Sequence, residues 1–253
     1  MGAVLNSPFV VFFLSLIAQW LAAYLGDLLR NKKQQLREDE RADFDTVQTA
    51  ALTLLALIIS FSFAMAVTRY DQRKNYEEAE ANAIGTEYLR LGLLPAADTE
   101  PARALLRKYL DLRILFYETS RESELAQISA DTVSLQADLW AAVLHAANAQ
   151  PTPAVALVAS GMNDVLNAQG YVQAAWWNRI PVAAWAMMGL IAISCNVMLG
   201  YGERRRASLL LLVLPIIVSI SLFLIADIDS PRGGVIRVLP QNLIALSPSL
   251  KAN

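Results

Sequence analysis

Four stretches of the chain are apolar over the length that a bilayer asks of a helix, about 20 residues rising 1.5 Å each. The first runs from Pro8 to Gly26 and meets its first charge at Asp27. It has no basic segment ahead of it and no clean small-x-small cleavage site, so it reads as a retained helix rather than a secretory signal. The second, Val47 to Thr68, is uncharged throughout and stops at Arg69. The third, Ile180 to Gly200, follows Trp176, Trp177 and Arg179, the composition of an interfacial anchor. The fourth, Ser208 to Ala226, is leucine-rich and holds Pro215, which frees a carbonyl for a neighbouring helix or for Ser219.

Between the second and third stretches, residues 69–179 are polar and helical in period, with no alternating β-branched run to argue for strands. Neither Gly nor Pro occurs from Val47 to Ile84, which predicts that the second span continues out of the membrane as one helix ending near Gly92 and Pro95. Thr99-Glu100-Pro101 predicts the start of the next helix, with Leu105, Tyr109, Leu112 and Phe116 on one stripe. Ser120 or Ser123 is placed to cap another, carrying Leu125, Ile128, Leu135 and Leu139 as far as Pro151-Thr152-Pro153. A last helix runs from Ala154 through Val158, Val165 and Val172 into Trp176. The chain therefore divides into residues 1–68, two transmembrane helices with a basic connecting loop; 69–179, a helical extramembrane bundle; 180–227, two more transmembrane helices; and 228–253, a C-terminal tail.

Composition supports the membrane class and narrows the chemistry. Of 253 residues, 55% are hydrophobic and 17% charged, against about 45–50% and about 25% in soluble domains. Charge totals 21 Lys+Arg and 23 Asp+Glu, a net of −2 that argues against nucleic acid as a partner. One cysteine, Cys195, and one histidine, His145, leave no internal disulfide and no Cys/His metal cage. An enzyme would have to draw its acid/base chemistry from carboxylates alone, so none is expected, nor any cofactor or metal.

Charge position says more than charge total. Arg30, Lys32, Lys33, Arg37, Arg41 and Arg204 to Arg206 lie in two short loops on one side of the membrane, against Arg232, Arg237 and Lys251 in the tail. The positive-inside rule puts those loops in the cytoplasm and the bundle with both termini outside, in a multi-pass protein of a bacterial plasma membrane. The bundle itself carries ten Lys+Arg and fourteen Asp+Glu, a net of −4.

Three segments in order carry a family likeness: the run from Glu77 to Pro95 (EEAEANAIGTEYLRLGLLP), the run from Ala104 to Ile114 (ALLRKYLDLRI), and the close of the last span from Ala226 to Val238 (ADIDSPRGGVIRV). Together they resemble the bestrophin-like domain-of-unknown-function family of bacterial and plant membrane proteins, and the acidic-Ser-Pro-x-x-Gly ending is the most specific part. The resemblance implies a homo-oligomer, a pentamer, forming a channel with a pore lined by the second helix. The acidic run that clasps calcium in bestrophins has no counterpart here, and bestrophins keep their large domain in the cytoplasm, opposite to the charge count.

Candidate residues follow from position. On the second span Thr49, Thr53, Ala56, Ser60 and Ala64 form a small, weakly polar stripe, and Leu54, Ile58, Phe61 and Met65 a bulky one. Either the small stripe lines water, with Phe61 or Phe63 as an apolar constriction, or it lets helices approach closely. The pore-lining or gate candidates are Thr53, Ser60, Phe61, Phe63 and Met65. Asp227 and Asp229 end the fourth span and are costly there unless solvated or paired. They either face an ion pathway or serve structure, Asp229 turning the chain and Asp227 pairing with Arg69, Arg73 or Lys74. Being about 200° apart on a helix, they share a face only if the helix ends between them. Glu77, Glu80 and Glu87 either ring a vestibule or lie on a solvated helix face. Asn196, with Ala186, Gly189, Ile193 and Gly200 on its side, reads as interhelical glue. Cys195 reads as a buried small residue and His145 as a surface or packing residue, while the tail lies on the membrane or against the bundle.

The expected protein is thus an all-α integral membrane protein with four transmembrane helices and an extramembrane bundle, whose partners are its own copies, the lipid bilayer and inorganic ions. Its expected function is passive ion conduction through a central pore. The competing expectation is a non-conducting scaffold acting through its helical insert.

Overall fold

The structure is a computed structural model that describes residues 7–32, 37–202 and 210–251. Lys33, Arg204 to Arg206 and Ser208, used above for topology and for the start of the fourth span, lie outside the described residues. Among the described residues there are helices and no strands. In chain order they are α1 (Pro8–Lys32), α2 (Glu38–Arg90), a single 3-10 turn (Leu91–Leu93), α3 (Ala96–Glu118), α4 (Glu122–Ala149), α5 (Pro153–Trp177), α6 (Val182–Gly202), α7 (Leu210–Asp229) and α8 (Gln241–Lys251). Four regular stretches among them are long and apolar enough to cross a membrane. α2 is one helix of 53 residues; it is continuous out of the apolar stretch, as the missing Gly and Pro predict, and it starts at Glu38, ahead of Val47.

Contacts divide the chain into two units, Met1–Tyr70 with Arg179–Arg237, and Asp71–Asn178 with Val238–Asn253. In the first, α1 packs along α6 and α7. The core joins Leu55 and Ala66 of α2 to Trp185, Met188, Ala192 and Cys195 of α6 and to Val218, Leu222 and Ile225 of α7. α1 and α6 approach each other closely. A Cβ on Gly26 would lie 2.1 Å from the Val197 carbonyl oxygen, and one on Gly200 would lie 1.9 Å from that of Ala23. Glycine is required at both because backbone meets backbone there. The buried face of α6 runs through Trp185, Met188, Ala192, Cys195 and Asn196. Of the side assigned from sequence, Asn196 and Gly200 are buried, but Ala186 and Ile193 are exposed and Gly189 has nothing near it. The expected stripe is rotated by about one residue, because the large Trp185 and Met188 take the core instead of the small residues.

In the second unit, α3 packs on α4 and α8, and α4 on α5. α3 begins at Ala96, ahead of the Thr99-Glu100-Pro101 start expected from sequence. Thr99 explains the early start. Its amide donates to the Pro95 carbonyl, and its hydroxyl donates to the carbonyls of Leu94 and Pro95 at 3.2 and 3.1 Å. Pro101 then sits on the exposed side, where water can take the carbonyl it leaves unpaired. α4 has Arg121 as its N-cap residue with no side-chain capping bond, so neither Ser120 nor Ser123 caps it. α5 is started by Thr152, whose hydroxyl accepts from the Val155 amide at 3.3 Å, with Pro153 in the first turn.

The tail joins this unit. α8 buries Leu243 and Leu250, and the Tyr88 hydroxyl donates to the Leu250 carbonyl at 2.9 Å. Leu246 lies against Gly85, where an added Cβ would meet it at 3.0 Å.

Candidate functional site

The apolar part of α2 has one attached face and one open face. Leu55, Ser62 and Ala66 are buried in the first unit. Thr53, Ser60 and Ala64 lie roughly on the opposite side of the helix and are exposed. The hydroxyls of Thr49, Thr53, Ser60 and Thr68 donate to the carbonyls four residues back at 2.8, 2.9, 2.8 and 2.9 Å. Their hydrogens are committed to the helix, so the face presents methyls and oxygen lone pairs without charge. It extends into an open concave surface lined by Asp45, Thr46, Thr49, Ala50, Thr53, Leu54 and Leu57. Phe61 is 69% exposed, Phe63 40% and Met65 39%. Phe61 and Phe63 sit about 200° apart, so they flank the open face from opposite sides and do not share it.

The carboxylates at the end of α7 are buried and engaged. Asp227 accepts from the Val235 and Ile236 amides at 2.7 and 2.8 Å. Asp229 accepts from the Ile180 amide at 3.1 Å and has Arg69 at 3.7 Å and Arg179 at 3.4 Å. The helix does not end between the two aspartates but continues to Asp229, so they face different partners. Arg69 accordingly pairs with Asp229 and not with Asp227. The chain then turns at Ser230, whose hydroxyl accepts from the Gly233 amide at 3.1 Å. A Cβ on Gly234 would fall 2.3 Å from an Asp227 carboxylate oxygen, which explains a glycine at that place. The Asp-x-Asp-Ser-Pro-x-x-Gly segment is therefore a closed turn.

Glu77, Glu80 and Glu87, on the polar part of α2, are buried at 2%, 0% and 0% exposure. Glu77 accepts from the backbone amides of Asn242 and Leu243, each at 3.0 Å, and from the Asn242 side chain at 2.6 Å. It holds the positive end of α8. Glu80 accepts from Arg113 Nε at 2.5 Å and from the Tyr117 hydroxyl at 3.3 Å. Burial pushes the Glu80 carboxyl up, against the pull of the Arg113 guanidinium beside it. Burial also raises the phenols of Tyr109 and Tyr117, and the Glu80 charge adds to it, so both stay protonated. Phe116 packs at 4.4 Å under the Arg113 guanidinium. Glu87 has no hydrogen-bond partner on either oxygen.

Several of these partners carry no sequence signal of their own. Arg113 sits at a core position of α3, where its spacing from Tyr109 and Phe116 gives the only hint. Gln19 lies in the uncharged first span and is 2% exposed. Its amide donates to the Ser219 hydroxyl at 3.1 Å and accepts from Asn196 at 3.1 Å. Ser219 is thus joined to α1. Cys195 is buried and His145 exposed, as expected. No metal-binding cluster of His, Cys, Asp or Glu occurs among the described residues.

The sequence profile of the bestrophin-like domain matches residues 13–243. The chain belongs to the bestrophin-like family. Its fold is that of bacterial bestrophin homologues. A tryptophan-to-alanine variant of the homologue from Klebsiella pneumoniae matches with a TM-score of 0.66 at 13% identity, over 95% of this chain and 94% of that one. A tyrosine-to-alanine variant of the same homologue gives 0.66 at 13% identity, over 95% and 96%. The homologue phased on zinc gives 0.63 at 14% identity, over 96% and 95%. No curated protein matches the sequence. The likeness to the bestrophin homologues, at this identity, is one of fold.

Proposed function

We propose that this bestrophin-like chain assembles with its own copies into a passive ion channel whose central path is lined mainly by the apolar part of α2. The observation that carries the reading is the open face of that helix. Thr53 and Ser60 point away from the helices that bury Leu55 and Ala66, with Phe61 at 69% exposure beside them. In the bestrophin resemblance the second helix lines the pore, and copies grouped around an axis would bring five such faces together in a pentamer. Thr53 and Ser60 then face water, and Phe61 or Phe63, at the edges of that face, narrows the path near Met65 into an apolar neck that gates by dewetting.

In this reading the second unit stands outside the membrane between the second and third spans. Asp227, Asp229, Glu77 and Glu80 serve structure, since each already has protein partners. The acidic Asp45 at the end of the open face is the better candidate for a charged mouth. The basic loops lie in the cytoplasm of a bacterial cell.

The test is reconstitution. Purified protein should run as an oligomer in detergent and pass ions in liposomes, and Phe61→Ala should raise the flux. A monomer in detergent overturns the central path. An oligomer that passes no ions over varied pH and calcium overturns conduction and leaves the scaffold.

A further inference from the structure

Glu87 is the one acidic side chain singled out above that the fold buries without answering. Its exposure is 0%, and neither carboxyl oxygen has a hydrogen-bond partner. It is pressed into the seam between α2 and α5, against a glycine. A Cβ on Gly161 would lie 2.0 Å from Glu87 Oε2 and 2.4 Å from Arg90 Nη1. Two charged groups face it. Arg90, on its own helix, is turned to Asp164 of α5, with 3.7 Å between Nη1 and Oδ2. Asp164 itself is 61% exposed and has water to solvate it.

Both distances are measured from one point, so Arg90 Nη1 stands within about 4.4 Å of Glu87 Oε2, just beyond hydrogen-bond reach, and the guanidinium lies between a buried carboxyl and an exposed one. That arrangement favours the neutral acid, because a buried carboxylate that accepts no hydrogen bond is costlier than the uncharged group. Burial, with Asp164 adding to it and Arg90 opposing, pushes the Glu87 carboxyl up to about 8. Beside the seam lies a groove lined by Ala79 and Ala83 of α2 and by Asp164, Asn167 and Ala168 of α5, closed at one end by the stacked rings of Tyr76 and Tyr171 at 5.8 Å.

We propose that Glu87, Arg90, Asp164 and Gly161 form a proton-operated contact between α2 and α5. It is closed with Glu87 as the neutral acid, and it opens when Glu87 ionises and draws Arg90 away from Asp164. The contact lies wholly within the second unit, and it does not depend on conduction.

The sign of the linkage is set by the raised value. Between about 4.5 and 8 the folded chain holds a proton that the unfolded chain has released, so stability falls as pH rises through that window and levels off above it. Glu87→Gln, which mimics the neutral acid, should melt with the wild type at pH 5 and at a higher temperature at pH 9. Asp164→Asn, which leaves Arg90 free for Glu87, should shift the wild-type transition to lower pH. The direct readout is the infrared carbonyl stretch of a protonated carboxyl, lost between pH 7 and 9 in the wild type and absent from the difference spectrum of Glu87→Gln. A Glu87→Gln protein that is less stable than wild type by the same amount at every pH overturns the proposal, as does a carboxyl band that is already gone at pH 6.

Discussion

The two units of the chain bury acidic side chains by different means. In the first, Asp227 accepts the Val235 and Ile236 amides of the loop that follows α7, and Asp229 accepts the Ile180 amide just ahead of α6 with Arg69 and Arg179 beside it. The acids there finish loops. In the second, the acids lie on the inner face of a long helix and are answered across it, Glu80 by the Arg113 guanidinium and Glu77 by the first turn of α8. A carboxylate that closes a loop is held by amides the chain must satisfy anyway. One that lies on a packed helix face needs a partner of its own from another helix, and its removal strands that partner.

The largest expected effect lies with the stranded cation or anion. Arg113→Met leaves Glu80 buried without its cation and should cost about 3–5 kcal/mol, whereas the pair Glu80→Leu with Arg113→Met should recover most of that loss. Thermal or denaturant melting in detergent reads both, and a double variant as unstable as the single one would break the contrast. Next comes Asp227→Ala. It removes two charge-assisted bonds and should cost about 3 kcal/mol, with protease cuts appearing between Ser230 and Arg237. A smaller effect, about 1–2 kcal/mol, is expected of Glu77→Gln, which keeps an acceptor but loses the charge at the start of α8. Faster proteolytic loss of residues after Val238, with the rest of the chain intact, is its signature. The smallest is Thr53→Val, which should change melting by no more than about 0.5 kcal/mol because it touches an open face. In liposomes the same substitution should alter ion flux, which separates the role of that face from stability.

Much of the architecture was legible before the structure. The apolar stretches and the unbroken run from Val47 to Ile84 pointed to the spans and to the continuity of α2 as far as Arg90, though not to its start at Glu38, because helix period and the absence of Gly and Pro act locally. The rotation of the α6 face was not legible. Which of two adjacent stripes is buried depends on what α1 and α7 offer, and Trp185 and Met188 outweigh the small residues. The acidic residues were found by type, yet burial and partners decide their role. Glu77 and Glu80 look alike in sequence to a solvated run, and only the inward positions of Arg113 and Asn242 separate them from it. Pro101 misled for a local reason, since Thr99 can bond to Pro95 before the proline is reached.

The contact between Gln19 and Asn196 joins residues 177 apart in the chain. At about 5–20 residues per second of synthesis, Gln19 is made about 9–35 s before its partner. For that interval the Gln19 amide sits in an apolar helix without Asn196 or Ser219 to meet it, and Gly26 faces lipid where the Val197 backbone will later lie. The nascent α1 therefore has reason to linger beside whatever inserts it, and Gln19→Leu should release it sooner while weakening the finished bundle.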